Sequence, residues 1–168
     1  MKKIALMIAF IAMAMIQGLF AQDSVSLIMQ KTITDYLQVK TALTNDDSDS
    51  AGVYARILWT DLNNIPMDKL SADQLKIWKK YYGALFSITK KIGGNNDLKN
   101  QRKQFTDLSP KFYEILSAMK VNTTDLYYQY CPMADAYWIS ENSKIANPYY
   151  GKQMLSCGST KETLKAIK

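Results

Sequence analysis

Apolar residues recur at three- and four-residue steps in four successive stretches, and this periodicity constrains the fold more than any other feature of the chain. Val25, Ile28, Met29, Ile33, Tyr36 and Leu37 form the first stripe, which the polar run Asn45–Ser50 ends. Ala51, Ala55, Leu58, Leu62 and Ile65 form the second, which stops before Pro66. The third opens at Ser71, three residues before Gln74, the spacing of a capping box in which each residue satisfies an orphan N–H of the other. Leu75, Trp78, Tyr82, Leu85 and Ile92 follow in phase, and Gly93-Gly94 supplies the break. The fourth starts near Asp97 and carries Phe105, Leu108, Phe112, Ile115 and Met119, with Pro110 predicting a kink or a restart capped by Ser109. A 3.6-residue apolar period is the mark of an amphipathic helix. Four such helices joined by short polar loops predict an all-α protein, a four-helix up-and-down bundle.

The N-terminus addresses the chain for export. Lys2 and Lys3 precede an uncharged apolar run from Ile4 to Ile16, followed by Gly18 and by Ala21 before the polar Gln22-Asp23-Ser24. This is the order of a cleavable signal peptide covering residues 1–21. The run is shorter than the ~20 residues of a spanning helix, so the expectation is a protein that is soluble in the periplasm or secreted, with no stable membrane insertion after cleavage. Residues 22–168 make one domain. Without the two leader lysines, the 21 basic residues become 19 against 15 acidic ones, a mild +4. Lys79-Lys80 and Lys90-Lys91 read as solvated helix faces, so no nucleic-acid partner is expected. Asp46, Asp47 and Asp49 lack the distal glutamate of a calcium loop and read as a helix connection.

The chain has no histidine. That removes Ser-His and Cys-His nucleophiles and imidazole-held zinc or copper, and the expectation is that the chain is not an enzyme. The chemistry concentrates in residues 121–158, where both cysteines stand near methionines: Cys131-Pro132-Met133 and Met154-Leu155-Ser156-Cys157. The segment between them holds the turn-forming Asn147-Pro148-Tyr149-Tyr150-Gly151. An irregular or β-hairpin segment here would bring the two Cys-Met pairs together, and a final helical turn or two from Ser159 to Ile167 would close the chain. Two thiolates with two thioethers are a soft donor set that favours Cu(I), and zinc would need Asp135 or Glu141 to complete its shell. Spacing alone favours one structural disulfide, whose 26-residue separation would stabilise by roughly 3–4 kcal/mol.

The stretches Tyr127–Ala134, Ala136–Ser140 and Asn147–Gly158, with Tyr36-Leu37 and Leu43–Asp47, resemble an uncharacterised family of periplasmic helical domains from Gram-negative bacteria, labelled a domain of unknown function. The resemblance implies a link to heavy-metal efflux, because the same domain occurs as a C-terminal extension of efflux membrane-fusion proteins. Tyr130-Cys131-Pro132-Met133 is similar to the opening of a short metal-binding module of copper-exporting pumps. The spacer before Ala136-Tyr137-Trp138 is shorter here than in the family pattern, only Asp135. Two functions follow as expectations. One is a soft-metal site of Cys131, Met133, Met154 and Cys157 beside an efflux partner. The other is a metal-free interaction module with a Cys131–Cys157 disulfide.

Overall fold

A computed structural model describes residues 25–167; the leader lies outside them. The four helices form where the stripes place them: α1 over residues 25–44, α2 over Ser48–Asn63, α3 over Ala72–Gly93 and α4 over Leu98–Met119. Ser71 and Gln74 make the reciprocal capping box, and Trp78 and Leu85 are buried. Asp47 does more than end a polar run: its carboxylate accepts from the Ser50 N–H at 2.9 Å and caps α2. α4 runs through Pro110 without restarting. The Ser109 hydroxyl is no cap, because it bonds the Phe105 carbonyl at 3.1 Å and the Tyr36 hydroxyl at 2.7 Å.

The all-α expectation is overturned. Among the described residues the chain forms four α-helices plus a three-stranded antiparallel sheet of β1 (Leu126–Cys131), β2 (Ala136–Ser140) and β3 (Ser159–Leu164), in the order β2-β1-β3. The expected helical turns from Ser159 onward are therefore a strand. The expected hairpin also has a different turn. β1 and β2 are joined by residues 132–135, with Cys131 paired to Ala136, while Asn147–Gly151 lies in the long connection to β3. Asp135 adopts φ 46° in this tight turn and accepts a hydrogen bond from Tyr130 Oη at 2.8 Å. Lys161 forms a bulge where β3 crosses from Glu162 to Thr160 along β1.

Tyr36 is the joint between bundle and sheet. Its ring stacks on Phe105 and Phe112 of α4 at 5.2 and 5.0 Å, and its hydroxyl accepts the Ile139 N–H of β2 at 3.1 Å. Tyr113 of α4 stacks on Tyr128 of β1 at 3.8 Å, Tyr128 stacks on Tyr137 of β2 at 4.8 Å, and Tyr137 meets Tyr130 at 4.5 Å in a tilted pair. The aromatic run thus serves largely to fasten β1 and β2 to α4. No helix among the described residues is long and apolar enough to cross a membrane.

Between α1 and α2, the buried Asp35 shares hydrogen bonds with Asp61 and Lys31. Burial pushes the Asp35 carboxyl up to about 7, helped by the hydrogen bond to Asp61 and opposed by Lys31. Hydrogen bonds from Asp35 and Lys31 outweigh burial at Asp61 and hold that carboxyl below its ordinary value. The folded chain thus binds the Asp35 proton more tightly than the unfolded chain. Its contribution to stability should be lost as pH rises from 3.8 to about 7. The Asp61 contribution has the opposite slope and falls below pH 3.8. In denaturant titrations across pH 4.5–8, Asp35→Asn should flatten the decline; an unchanged slope would place the proton elsewhere.

Candidate functional site

The two cysteines come together, by a route other than the expected one. Cys131 ends β1 and Cys157 lies just ahead of β3, so the β1–β3 pairing, with Tyr130 opposite Ser159, sets the cysteines side by side. Their Sγ atoms are 3.0 Å apart. The single-residue spacer does not separate them: Asp135 closes the 132–135 turn that pairs Cys131 with Ala136, while the approach of Cys157 is set by the other pairing of β1, with β3.

The two sulfurs have unequal surroundings. Cys131 is fully buried and Cys157 partly exposed. Burial pushes the Cys131 thiol up, but hydrogen bonds from Cys157, the Ala134 N–H, the Asn147 side chain and the Met133 N–H outweigh it, holding it below the ordinary thiol value. Cys157 is held above that value, chiefly by its hydrogen bond to Cys131. The two shifts run in opposite directions and make Cys131 the more acidic of the pair.

The methionines take different positions. Met133 is 63% exposed, and its carbonyl accepts from Tyr150 Oη at 3.0 Å. Met154 is half-buried and shares a turn with Cys157, whose N–H bonds the Met154 carbonyl at 3.1 Å. Asp135 is engaged by Tyr130, and Glu141 by the buried Lys40 at 2.8 and 3.1 Å. Among the described residues no group of three or more Cys, Asp, Glu or His could hold a metal ion. Two thiols alone leave zinc without its usual four ligands, and thiolate sulfur is a donor that suits soft ions. With metal–sulfur bonds near 2.3 Å, bridged sulfurs would sit roughly 3.7–4.6 Å apart by the same bond length. Loading thus needs a small outward rotation, which the partly exposed Cys157 can make.

Several residues that shape the site carry no obvious signal in the sequence. Asn147 is fully buried and acts as the hub of the connection. Its Nδ2 donates to the Cys157 carbonyl at 2.8 Å, while its Oδ1 accepts the Tyr149 N–H at 2.8 Å and the Tyr150 N–H at 3.3 Å. Arg102 of α4 holds the same connection from below, through the Pro148 carbonyl at 2.8 Å, the Leu43 carbonyl at 2.8 Å and Asp46 at 2.6 Å. Trp138 is fully buried, and Gly158, at φ +142°, passes so close that a Cβ there would lie 2.7 Å from its ring. Only the Asn-Pro turn signal could have drawn attention to Asn147. The partners of Arg102 are 46 to 59 positions away and leave no local pattern.

No curated protein and no solved structure matches the chain. The sequence pattern of one family, described as "Protein of unknown function (DUF3347)", matches residues 32–124, more than half of the 168 residues. The match takes in most of the helical part and ends before β1, so neither cysteine lies within it. By that match the chain belongs to the DUF3347 family of proteins of unknown function.

Proposed function

We propose that this chain is an exported soft-metal-binding protein that takes one Cu(I) as cargo between Cys131 and Cys157, with Met133 and Met154 as assisting thioethers, and works in the periplasm beside a metal-efflux membrane-fusion protein. The observation that carries this reading is the meeting of two thiols at 3.0 Å, one of them buried among hydrogen-bond donors that favour its thiolate. The lack of histidine and the engagement of Asp135 and Glu141 elsewhere support a soft ion over zinc. Residues 1–21 support export, and the resemblance of the Tyr-Cys-Pro-Met segment to copper-pump modules supports the efflux partner.

The unequal sulfurs also weigh against a thiol–disulfide oxidoreductase. Such a catalyst attacks with an exposed thiolate, whereas here the favoured thiolate is the buried Cys131. A second reading has its own support: two free thiols 3.0 Å apart need only a short approach to close an S–S bond of about 2.05 Å, as in a metal-free module stapled by a Cys131–Cys157 disulfide.

Titration of the reduced protein with Cu(I) against a competing chelator separates the two readings. Uptake of about one ion is expected, lost in the Cys131→Ser and Cys157→Ser variants and weakened less by Met133→Leu or Met154→Leu, because a neutral thioether is the poorer ligand. Equal uptake by the double Cys→Ser variant would rule out the site.

A further inference from the structure

We propose that the metal site is gated by thiol–disulfide exchange with an external thiol reductant that enters at the Cys157 sulfur alone, leaving Cys131 as the internal partner. This rests on the metal-binding reading for its purpose, but the exchange chemistry stands on geometry that involves no metal. An exported thiol pair tends to oxidise, so a site that loads a cation must have a way back from its disulfide.

The structure makes the two sulfurs of that disulfide unequal targets. Cys131 is 0% exposed, at the inner end of β1. Cys157 is reachable, flanked by the exposed Ser156 and Leu155 and lying close to the turn that presents Met133. Displacement at sulfur needs the incoming thiolate in line with the bond that breaks. Approach from solvent to Cys157 puts Cys131 in the leaving position. The departing Cys131 sulfur stays enclosed and 3.0 Å from Cys157, in place to close the bond again.

A reductant thiolate attacks Cys157 Sγ, forming a mixed disulfide. The Cys131–Cys157 bond breaks, and its electron pair leaves on Cys131 Sγ. A second thiolate from the reductant then attacks the reductant's own sulfur in the mixed disulfide. This forms the reductant's disulfide and leaves the electron pair on Cys157 Sγ, which takes a proton. The protein disulfide is reduced by two electrons and two thiols are oxidised. Run in reverse, closure ends with Cys131 Sγ attacking Cys157 Sγ from the 3.0 Å distance at which it already stands. The partner this chemistry fits is a dithiol carrier, because its second thiol is already in place for the release step.

The test uses the full chain without metal. Wild-type protein is oxidised with diamide, treated briefly with glutathione, acid-quenched and mapped by peptide mass. Glutathione is expected on Cys157 and not on Cys131. In parallel, the reduced single-cysteine variants are compared for their rates with a disulfide reagent. Cys157 in Cys131→Ser should react roughly tenfold or more faster than Cys131 in Cys157→Ser, because access limits the buried sulfur. Glutathione on Cys131, equal rates, or a wild-type protein that diamide leaves as a dithiol would overturn the proposal. If exchange proceeds as stated while Cu(I) uptake fails, only the metal reading falls. If uptake succeeds while glutathione lands on Cys131, only the gating falls.

Discussion

Replacing Trp138 with alanine is expected to cost about 3–5 kcal/mol, the range for removing a fully buried tryptophan. Trp138 is completely covered, and its Nε1 has no partner among the described residues, so the expected loss comes from packing rather than from a broken hydrogen bond. The ring packs edge-on against Tyr149 at 6.1 Å, and the backbone at Gly158 crosses it within contact distance. Removing it empties the space between the sheet and the connection that carries Cys157. For a domain of this size the thermal midpoint should fall by roughly 10 °C or more. Urea unfolding followed by circular dichroism measures the cost directly. A loss below about 1 kcal/mol would mean that the connection is not seated on Trp138.

Arg102→Ala is expected to be the most damaging change outside the apolar core. The guanidinium is mostly buried and bonds two carbonyls and the Asp46 carboxylate, drawing the end of α1 and the 147–151 turn onto α4. Hydrogen bonds to a charged donor contribute roughly 1.5–3 kcal/mol each. Partial access of water to Asp46 discounts the ion pair, so a total near 3 kcal/mol is expected. Gly151 explains why the turn cannot adapt around the loss: at φ +53° its α-carbon packs so tightly that a Cβ would lie 2.1 Å from Asp46 Oδ1. The local readout is thiol labelling. With the connection loosened, Cys131 should react faster in Arg102→Ala than in the parent, and an unchanged rate would mean that Arg102 does not secure the site.

What the sequence disclosed and concealed follows from where each signal resides. The stripes of α2 and α4 predicted their buried residues because a helix writes its core face at a fixed period, and Phe105, Leu108, Phe112, Ile115 and Met119 are all buried. Ser71 and Gln74 were legible because a capping box spans only three residues. β3 was not. Ser159-Thr160-Lys161-Glu162 is exposed and polar, so it has no apolar alternation, and only the open edge of β1 makes it a strand. The segment that carries β1 and β2 has the composition of short strands or irregular chain, but its strongest turn composition stands at Asn147–Gly151, whereas the two strands turn at the four residues after Cys131. The soft character of the site was legible because two cysteines, their neighbouring methionines and the absence of histidine are counts. The inequality of the two sulfurs was not, since it depends on the tertiary packing that buries Cys131 completely and leaves Cys157 partly exposed.

Copper K-edge X-ray absorption on the reduced, Cu(I)-loaded full-length protein tests the central claim most directly. A first shell of sulfur alone is expected, with two short thiolate contacts with or without a longer thioether, and with loss of that signal in Cys131→Ser. A first shell of nitrogen or oxygen, or a sulfur shell that survives in the Cys131→Ser, Cys157→Ser double variant, would contradict it.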